Sequence, residues 1–358
     1  MLAVRRFADL RTDSLTSLLH ESGTLRTGAV RTVEIEPIGI GVGFLGQVAR
    51  LHLTYDGGDE AAPTTLVGKL PTVDPGGREI CRIFKLYERE IRFYREVARD
   101  IPLRVPRYYG ALLDIPADTY LLLLEDLRAL RIGDDTAGCS AADAEAAVRM
   151  LGQLHATWWN TPIFGRLHWM PATNAPVHQS AEPTYQKALA PFMKMFGDHL
   201  SPTMRAVTDN LRTHVIDLLD ELAPPPVTLV HGDYRLDNLF FSQGGVAVID
   251  WQISRHGRGA FDVAYFLSGC LEPAVRRAEE TRLLRLWHEL AVPRRAAYTF
   301  EDAFIDYRRS VLFCHVYTVI ATGSLDPANE RGLALFHAWL RRRCAAIEEL
   351  DAGDLVAA

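Results

Sequence analysis

The chain has 358 residues, of which 48% are hydrophobic and 23% charged, a composition typical of a globular protein with enough length for two domains. Its formal net charge of −6 gives no reason to expect nucleic acid or an anionic membrane as a partner. The five cysteines show no paired spacing, which argues against a zinc site or a disulfide framework. Because the sequence also shows neither a signal peptide nor an apolar run long enough to span a bilayer, we expect a cytoplasmic protein.

The N-terminal part of the sequence predicts a small antiparallel sheet. A short amphipathic helix at 14–21 is followed by strands of alternating hydrophobicity at 32–38 and 48–55. Between these strands lie three glycines in a G-x-G-x-x-G pattern: Gly41, Gly43 and Gly46. The pattern alone is a weak signal, but a dinucleotide-binding fingerprint leads from a strand into a helix, whereas here one strand leads into another. We therefore expect a glycine-rich hairpin, in which glycine permits a close approach of the backbone.

A third strand and a helix continue this part of the chain. The strand at 65–71 carries a single lysine, Lys69, between apolar residues. Apolar residues then recur at steps of three and four from Ile80 to Tyr94, which predicts one helix. The acidic candidates on this helix are Glu88, Glu90 and Glu96. Two further apolar strands follow, at 107–113 and 120–124.

From residue 141 onward the periodicity changes to that of helices. A long helix at 142–159 precedes an insertion at about 160–226 that is rich in aromatic residues and methionine. Three more helices are predicted at 272–290, 300–322 and 328–350. The sequence thus predicts an α+β protein with a small N-terminal lobe, residues 1–127, and a large, mainly helical C-terminal lobe, residues 128–358. The aromatic residues of the insertion are interpreted as helical core, and a wall of an apolar ligand pocket is the alternative.

Polar residues are concentrated between apolar segments at 231–238, where the sequence reads HGDYRLDN, and Asp250 follows a short apolar strand. The spacing His-x-Asp-x-x-x-x-Asn with a downstream Asp matches the catalytic loop of kinases. Phosphoryl transfer needs a carboxylate that orients the acceptor hydroxyl, and Mg²⁺ bridging the phosphates. Magnesium prefers hard oxygen ligands. Asp233 is therefore the predicted base, Asn238 and Asp250 are the predicted metal ligands, and His231 is predicted to organise the loop.

The same residues carry a resemblance to a known group of proteins. The sequences HGDYRLDN and, at 248–252, VIDWQ resemble the aminoglycoside phosphotransferase and choline kinase superfamily, and the chain is most similar to its ecdysteroid kinase-like branch. The resemblance spans residues 30–345 and is sharpest at 227–266. It implies a two-lobed protein kinase-like fold and the phosphorylation of a hydroxyl group on a small molecule, with ATP and Mg²⁺ as cofactors.

The resemblance also implies roles for residues outside the catalytic loop. The glycine-rich hairpin with Gly41, Gly43 and Gly46 would cover the ATP phosphates, and Lys69 would reach them. A glutamate of the following helix would hold Lys69, and Glu90 matches the family best. The connection between the lobes, near Glu125, would offer backbone groups to adenine. Asp262 opens an apolar helix and is predicted to be either its N-cap or a brace for the catalytic loop.

Two alternatives to a small-molecule kinase follow from the same motifs. A protein kinase is disfavoured because only a dozen residues separate Asp250 from Asp262, which leaves no long activation segment, and because Trp-Gln replaces Phe-Gly after the metal-binding Asp. A nucleotide-binding pseudokinase acting as a binding module is expected to lack at least one of the residues that phosphoryl transfer needs. The sequence retains all four: Lys69, Asp233, Asn238 and Asp250.

The sequence leaves the acceptor and the oligomeric state open. Choline would favour an aromatic cage, because aromatic faces attract a quaternary ammonium group. Aminoglycosides would favour a strongly acidic pocket. The aromatic and methionine content of the insertion favours a bulkier, less charged hydroxylated compound, such as a steroid-like or macrolide-like natural product.

Overall fold

Two structural units are distinguished in the computed structural model of the chain, which describes residues 4–39, 45–58, 61–116, 119–323 and 329–357. The first unit comprises Met1–Asp100 and Val105–Leu130, and the second comprises Ile101–Arg104 and Arg131–Ala358. The first is built on an antiparallel sheet and the second is mainly helical. The predicted α+β class, with a small sheet-containing unit and a large helical one, is confirmed.

The first unit contains one antiparallel sheet with the strand order β1-β2-β3-β5-β4. Leucines of the first helix, among them Leu15 and Leu19, pack into one hydrophobic core with sheet residues such as Leu51 and Leu121, and all four are fully buried. The elements of this unit are α1 (Thr12–Glu21), β1 (Ala29–Ile38), β2 (Gly46–Asp56), β3 (Thr65–Pro71), α2 (Pro75–Ile83), α3 (Leu86–Arg92), β4 (Tyr108–Asp114) and β5 (Thr119–Glu125).

The glycine-rich segment connects two strands, as predicted. β1 and β2 form an antiparallel hairpin whose last pair is Ile38 with Val48. Gly46 begins β2 and pairs with Pro71 of β3, and a Cβ atom there would lie 3.2 Å from the Leu70 carbonyl oxygen. Gly41 and Gly43 lie outside the described residues.

The single helix predicted after β3 is wrong, because the chain forms two helices there. Helix α2 ends at Ile83, and Lys85 has a left-handed backbone conformation with φ of +52° before α3 begins. An α-helix cannot continue through such a residue, since left-handed geometry is accessible to L-residues only singly. Ile80, which the periodicity placed on the buried face, is 38% exposed. Helix α3 continues into a π-helical turn, Phe93–Val97.

The second unit combines helices with two small sheets. β6, β8 and β9 form one sheet in the order β6-β8-β9, and β7 pairs with β10. Its strands are β6 (Arg131–Ile132), β7 (Thr228–Val230), β8 (Leu239–Ser242), β9 (Gly245–Val248) and β10 (Arg255–Gly257). Its helices are α4 (Ala141–Thr157), α5 (Ala181–Phe196), α6 (Pro202–Asn210), α7 (Val215–Glu221), α8 (Ala260–Cys270), α9 (Pro273–Ala291), α10 (Phe300–Thr322) and α11 (Glu330–Glu349).

Helix α8 forms the centre of the second unit. All eleven of its residues are buried, and it packs against α10 and α11. The C-terminal helices begin where the sequence offers a cap: the Thr299 hydroxyl accepts a hydrogen bond from the Asp302 amide, and the Asn329 side chain accepts one from the Gly332 amide. No helix in the described part of the chain combines the length and the hydrophobicity required to cross a bilayer.

Large side chains of the insertion contribute to this helical core. Tyr185, Phe192 and Phe196 of α5 are at most 1% exposed. Phe192 lies edge-to-face against His315 of α10, and Phe196 stacks on Phe336 of α11. The interpretation of these three aromatic residues as helical core is therefore confirmed.

Candidate active site

In the first unit, Lys69 and Glu90 form a buried ion pair. The Lys69 ammonium lies 2.7 and 2.8 Å from the two carboxylate oxygens of Glu90, whose side chain is 1% exposed. The Tyr120 hydroxyl also donates to Glu90, at 2.9 Å. Glu88 and Glu96 instead pair with Arg92 on the surface. Among the three candidate acids, the structure thus brings Glu90 to Lys69 and fixes the direction in which the lysine points.

Glu125, predicted to lie near adenine, is the last residue of β5. Its backbone N–H donates to the Arg107 carbonyl at 2.9 Å, and its carboxylate accepts from the Arg107 N–H at 3.2 Å. The backbone N–H is thereby used by the neighbouring chain segment. The contact of this segment with adenine stays a prediction.

In the second unit, the catalytic loop is held between two paired strands. β7 leads into His231, and β10, which follows Asp250, pairs with β7 through Val230 and Arg255. Gly232 has φ of +90°, and a Cβ atom at this position would lie 2.8 Å from Arg255 Nη1 and 2.9 Å from the Ile253 carbonyl oxygen. Both the backbone conformation and the space therefore require glycine.

The hydrogen bonds of His231 fix its tautomer. Its Nδ1 accepts a hydrogen bond from the Asp233 backbone N–H at 3.2 Å, so Nε2 carries the proton and donates to the Ile249 carbonyl at 2.9 Å. The ring is fully buried and packs at 4.6 Å against Trp251, which follows Asp250. A neutral imidazole with both nitrogens engaged joins the two parts of the site and has no lone pair left for a substrate.

Asp233 is held by several donors. Its Oδ2 accepts hydrogen bonds from Asn238 Nδ2 at 3.0 Å and Arg235 Nε at 3.2 Å, while one fifth of the side chain stays exposed. Burial would raise the pKa of Asp233, but the Arg235 guanidinium and the Tyr265 hydroxyl outweigh it, so this pKa lies below its ordinary value. The carboxylate is therefore ionised at neutral pH and its orientation is fixed.

Asn238 and Asp250 are brought together by the backbone. The Ile249 N–H donates to the Asn238 carbonyl at 3.1 Å, which places the residue before Asp250 directly against Asn238. The Asn238 Nδ2 donates to both the Asp233 carbonyl and carboxylate, which orients its side-chain oxygen away from Asp233. Asp250 has φ of +65°, a strained conformation for an L-residue. One amide oxygen and one carboxylate fit the oxygen preference of Mg²⁺, with phosphate and water as the remaining ligands.

Within the described part of the chain, no group of three or more His, Cys, Asp or Glu side chains is arranged to hold a metal ion. This finding does not test the predicted pair of Asn238 and Asp250, because magnesium in nucleotide enzymes is held by only one or two protein side chains together with the phosphates.

Arg235 of the catalytic loop is turned inward. Its guanidinium pairs with Asp135 at 2.8 Å, Asp237 at 3.0 Å and Asp233 at 3.2 Å, and lies 5.6 Å from the centre of the Trp339 ring. The same buried Asp135 also accepts the Leu236 backbone N–H at 2.9 Å. Sequence reasoning missed Asp135, because it lies about a hundred positions upstream in a Gly-Asp-Asp-Thr stretch that is typical of a surface loop.

Asp262 braces the loop and does not cap its helix. The N-cap of α8 is Gly259, whereas the Asp262 carboxylate accepts the backbone N–H groups of His231 at 2.7 Å and Gly232 at 2.9 Å. Burial would raise the pKa of Asp262, but the hydrogen bonds from His155 and the Gly232 backbone lower it below its ordinary value. Of the two predicted alternatives, the geometry is that of the brace.

Comparison with protein families identifies the chain. The model of the ecdysteroid kinase-like family matches residues 41–293, which include the glycine-rich segment, Lys69, Glu90 and the complete catalytic loop. The chain belongs to the ecdysteroid kinase-like family. No curated protein sequence matches this ecdysteroid kinase-like chain significantly.

Solved structures share the fold of this ecdysteroid kinase-like protein at low sequence identity. A choline kinase from Cryptosporidium parvum Iowa II has a TM-score of 0.54 and 12% identity over 88% of this chain and 90% of its own. The choline kinase LicA from Streptococcus pneumoniae has a TM-score of 0.52 and 14% identity, over 93% and 96%. The GDP complex of aminoglycoside 2'-phosphotransferase-IIIa has a TM-score of 0.55 and 13% identity, over 92% and 98%. The predicted kinase-like fold is confirmed.

Proposed function

We propose that this chain is an ATP- and Mg²⁺-dependent phosphotransferase that moves the γ-phosphoryl group to a hydroxyl of a small molecule. The observation that carries the proposal is that hydrogen bonds join Asp233, Asn238 and the residue before Asp250 to one another. Asn238 donates to the Asp233 carboxylate at 3.0 Å, and the residue before Asp250 donates to Asn238 at 3.1 Å. A kinase needs this set of a base and two oxygen ligands, held together before the substrate arrives.

Asp233 has the properties that positioning requires. Its lowered pKa makes it a weak base, but proton loss from the acceptor is late in a loose transition state, and the main task is to orient the hydroxyl. The donors Asn238 and Arg235 occupy the same oxygen, Oδ2. We infer that Oδ1 accepts the hydrogen bond from the acceptor hydroxyl.

The remaining groups act on the nucleotide. Bound Mg²⁺ would bridge the phosphates and offset the charge that develops on them, and Asn238 and Asp250 would hold it. The Lys69 ammonium, directed by Glu90, would contact the phosphates together with the backbone at Gly41, Gly43 and Gly46. The small-molecule substrates of the structural neighbours, choline and aminoglycosides, indicate the class of acceptor and not its identity.

The test uses Mg·ATP with a panel of hydroxylated acceptors: amino sugars, macrolides, sterols and choline. We expect ADP formation above the rate with water for at least one class, and its loss in Asp233→Asn, while Asp198→Asn, at an exposed aspartate, retains it. Mg·ATP binding without any Asp233-dependent turnover, with the panel or with water, would instead establish the nucleotide-binding pseudokinase. Turnover of a compact cation such as choline alone would exclude the bulky, less charged acceptor.

A further inference from the structure

His155 lies beneath the catalytic loop and contacts two other buried side chains. Its Nε2 lies 3.3 Å from Asp262 Oδ2, and its Nδ1 lies 2.8 Å from the indole Nε1 of Trp287. All three side chains are fully buried. His155 belongs to α4 and Trp287 to α9, two helices that pack along each other.

The Trp287 contact decides which nitrogen of His155 carries the proton. An indole N–H can only donate, so His155 Nδ1 must be the acceptor. The neutral imidazole therefore has its proton on Nε2, where it donates to the Asp262 carboxylate. In the other tautomer the lone pair of Nε2 would face that carboxylate, and two proton donors would meet at Nδ1.

The Asp262 carboxylate carries this constraint to the catalytic loop. Its Oδ2 accepts both His155 Nε2 and the His231 backbone N–H, and its Oδ1 accepts the Gly232 backbone N–H. Asp233 is the next residue. A rotation of the carboxylate would displace the two peptide groups that place Asp233, and the hydrogen bond from His155 opposes this rotation.

We propose that Trp287 is a positioning residue for phosphoryl transfer, which fixes the tautomer of His155 and, through Asp262, the backbone that carries Asp233. The inference rests on the proposed function and extends it to a residue in α9 whose hydrogen bond in the described structure goes to His155 and not to the catalytic loop. Outer hydrogen-bond partners of this kind hold imidazole rings in one tautomer in many enzymes.

The decisive variant is Trp287→Phe, which keeps an aromatic ring and removes the N–H. Its matched control is Trp158→Phe at the end of α4, because the Trp158 indole N–H is buried without a hydrogen-bond partner and the residue is 3% exposed. With Mg·ATP and water as the acceptor, we expect kcat of Trp287→Phe to fall roughly 10-fold, with KM for ATP changed less than about twofold. Trp158→Phe keeps both constants. Equal losses in the two variants would overturn the proposal, since packing would then explain them.

A spectroscopic measurement tests the tautomer independently of activity. In protein with ¹⁵N-labelled histidine, the His155 ring is expected in the Nε2–H form, and Trp287→Phe shifts it toward the other tautomer or the imidazolium form. In His155→Gln, the side-chain amide N–H can donate to Asp262, and this donor does not depend on a tautomer. In the His155→Gln background, Trp287→Phe should therefore lower kcat by less than about twofold.

The outcomes separate the two proposals. An unchanged His155 tautomer in Trp287→Phe, or the same loss of kcat in both backgrounds, overturns the role of Trp287 even when Asp233-dependent hydrolysis is present. Equal rates of ATP hydrolysis in the wild type and Asp233→Asn would overturn the proposed function, and the positioning role with it. A shift of the His155 tautomer in Trp287→Phe would still establish the link from Trp287 to Asp262.

Discussion

The side-chain amide of Asn238 donates hydrogen bonds to both the backbone carbonyl of Asp233, at 2.9 Å, and its carboxylate, at 3.0 Å. One residue thereby fixes the direction of the predicted base and turns its own side-chain oxygen away from Asp233. In the proposed function this oxygen would bind Mg²⁺, so a change at Asn238 should affect both the orientation of the base and the binding of the metal.

The first prediction concerns this coupling. Asn238→Ala removes the amide donors and the amide oxygen, and we expect kcat with Mg·ATP to fall roughly 100-fold and the Mg²⁺ concentration for half-maximal rate to rise. Steady-state rates over a Mg²⁺ titration measure both effects. Asn174→Ala, which removes an amide bound to Asp220 instead, serves as the control. A large loss of kcat with an unchanged Mg²⁺ requirement would remove Asn238 from the metal site.

The second prediction distinguishes the acidic residues of α3. Glu90→Gln removes the carboxylate charge that lies 2.7 Å from the Lys69 ammonium, so we expect KM for Mg·ATP to rise about 10-fold, the scale of a lost charged hydrogen bond. Glu88→Gln breaks only a surface pair with Arg92, whose side chain is 43% exposed, and should change KM less than about twofold. Similar effects of both substitutions would contradict the assignment of Glu90.

The third prediction concerns the backbone of the catalytic loop. Gly232→Ala places a Cβ atom 2.8 Å from Arg255 Nη1 at a φ of +90°, so we expect the free energy of unfolding to fall by at least about 1–2 kcal/mol. Urea denaturation measures it. The control is Gly165→Ala, where a Cβ atom has no neighbour within 4 Å and the change should stay within about 0.5 kcal/mol. Unchanged stability of Gly232→Ala would contradict the described loop conformation.

The fourth prediction is a pH dependence of stability in the helical unit. Burial, with a contribution from Arg343, lowers the pKa of His315 from 6.5 to about 3. Between these values the unfolded chain binds a proton that the folded chain does not, so stability is lost as pH falls below about 6.5, by up to about 1.4 kcal/mol per pH unit.

His315→Gln isolates this contribution, because the amide can retain the hydrogen bond to Thr208 but does not titrate. Urea denaturation of both proteins from pH 7 to 4 should show a steeper loss in the wild type. Carboxylates titrate equally in both proteins and cancel in the difference. Parallel curves would show that His315 has the same pKa in the folded and the unfolded chain.

Much of the fold follows from local patterns in the sequence. The alternation at 32–38 and 48–55 and the helical period at 300–322 are properties of neighbouring residues, and two strands and a helix form where these patterns predict them. The break at Lys85 could not be predicted, since the apolar period continues through it. A non-glycine residue with a left-handed backbone conformation does not change the hydrophobic pattern.

The candidate site likewise contains residues that the sequence could predict and residues that it could not. The roles predicted for Asp233, Asn238 and Asp250 rest on contiguous motifs, so their proximity could be expected, while their chemical roles stay predictions. Asp135 and Trp287 could not be found, because their partners lie in distant segments and only the packing of the helices brings them together. The acceptor could not be derived either, since Tyr185, Phe192 and Phe196 of the insertion belong to the core.

β7 and β10, which pair with each other, lie on either side of the segment that carries Asp233, Asn238 and Asp250. Everything from His231 to Asp250 leaves and returns through one short antiparallel ladder, Val230 with Arg255, Leu229 with His256 and Thr228 with Gly257. The residues predicted to act as base and metal ligands thus lie on one continuous segment, and the strands at its two ends pair with each other. Contacts with Asp135, Asp262 and β6 hold this segment in the second unit, so substitutions that keep these contacts are expected to leave its conformation unchanged.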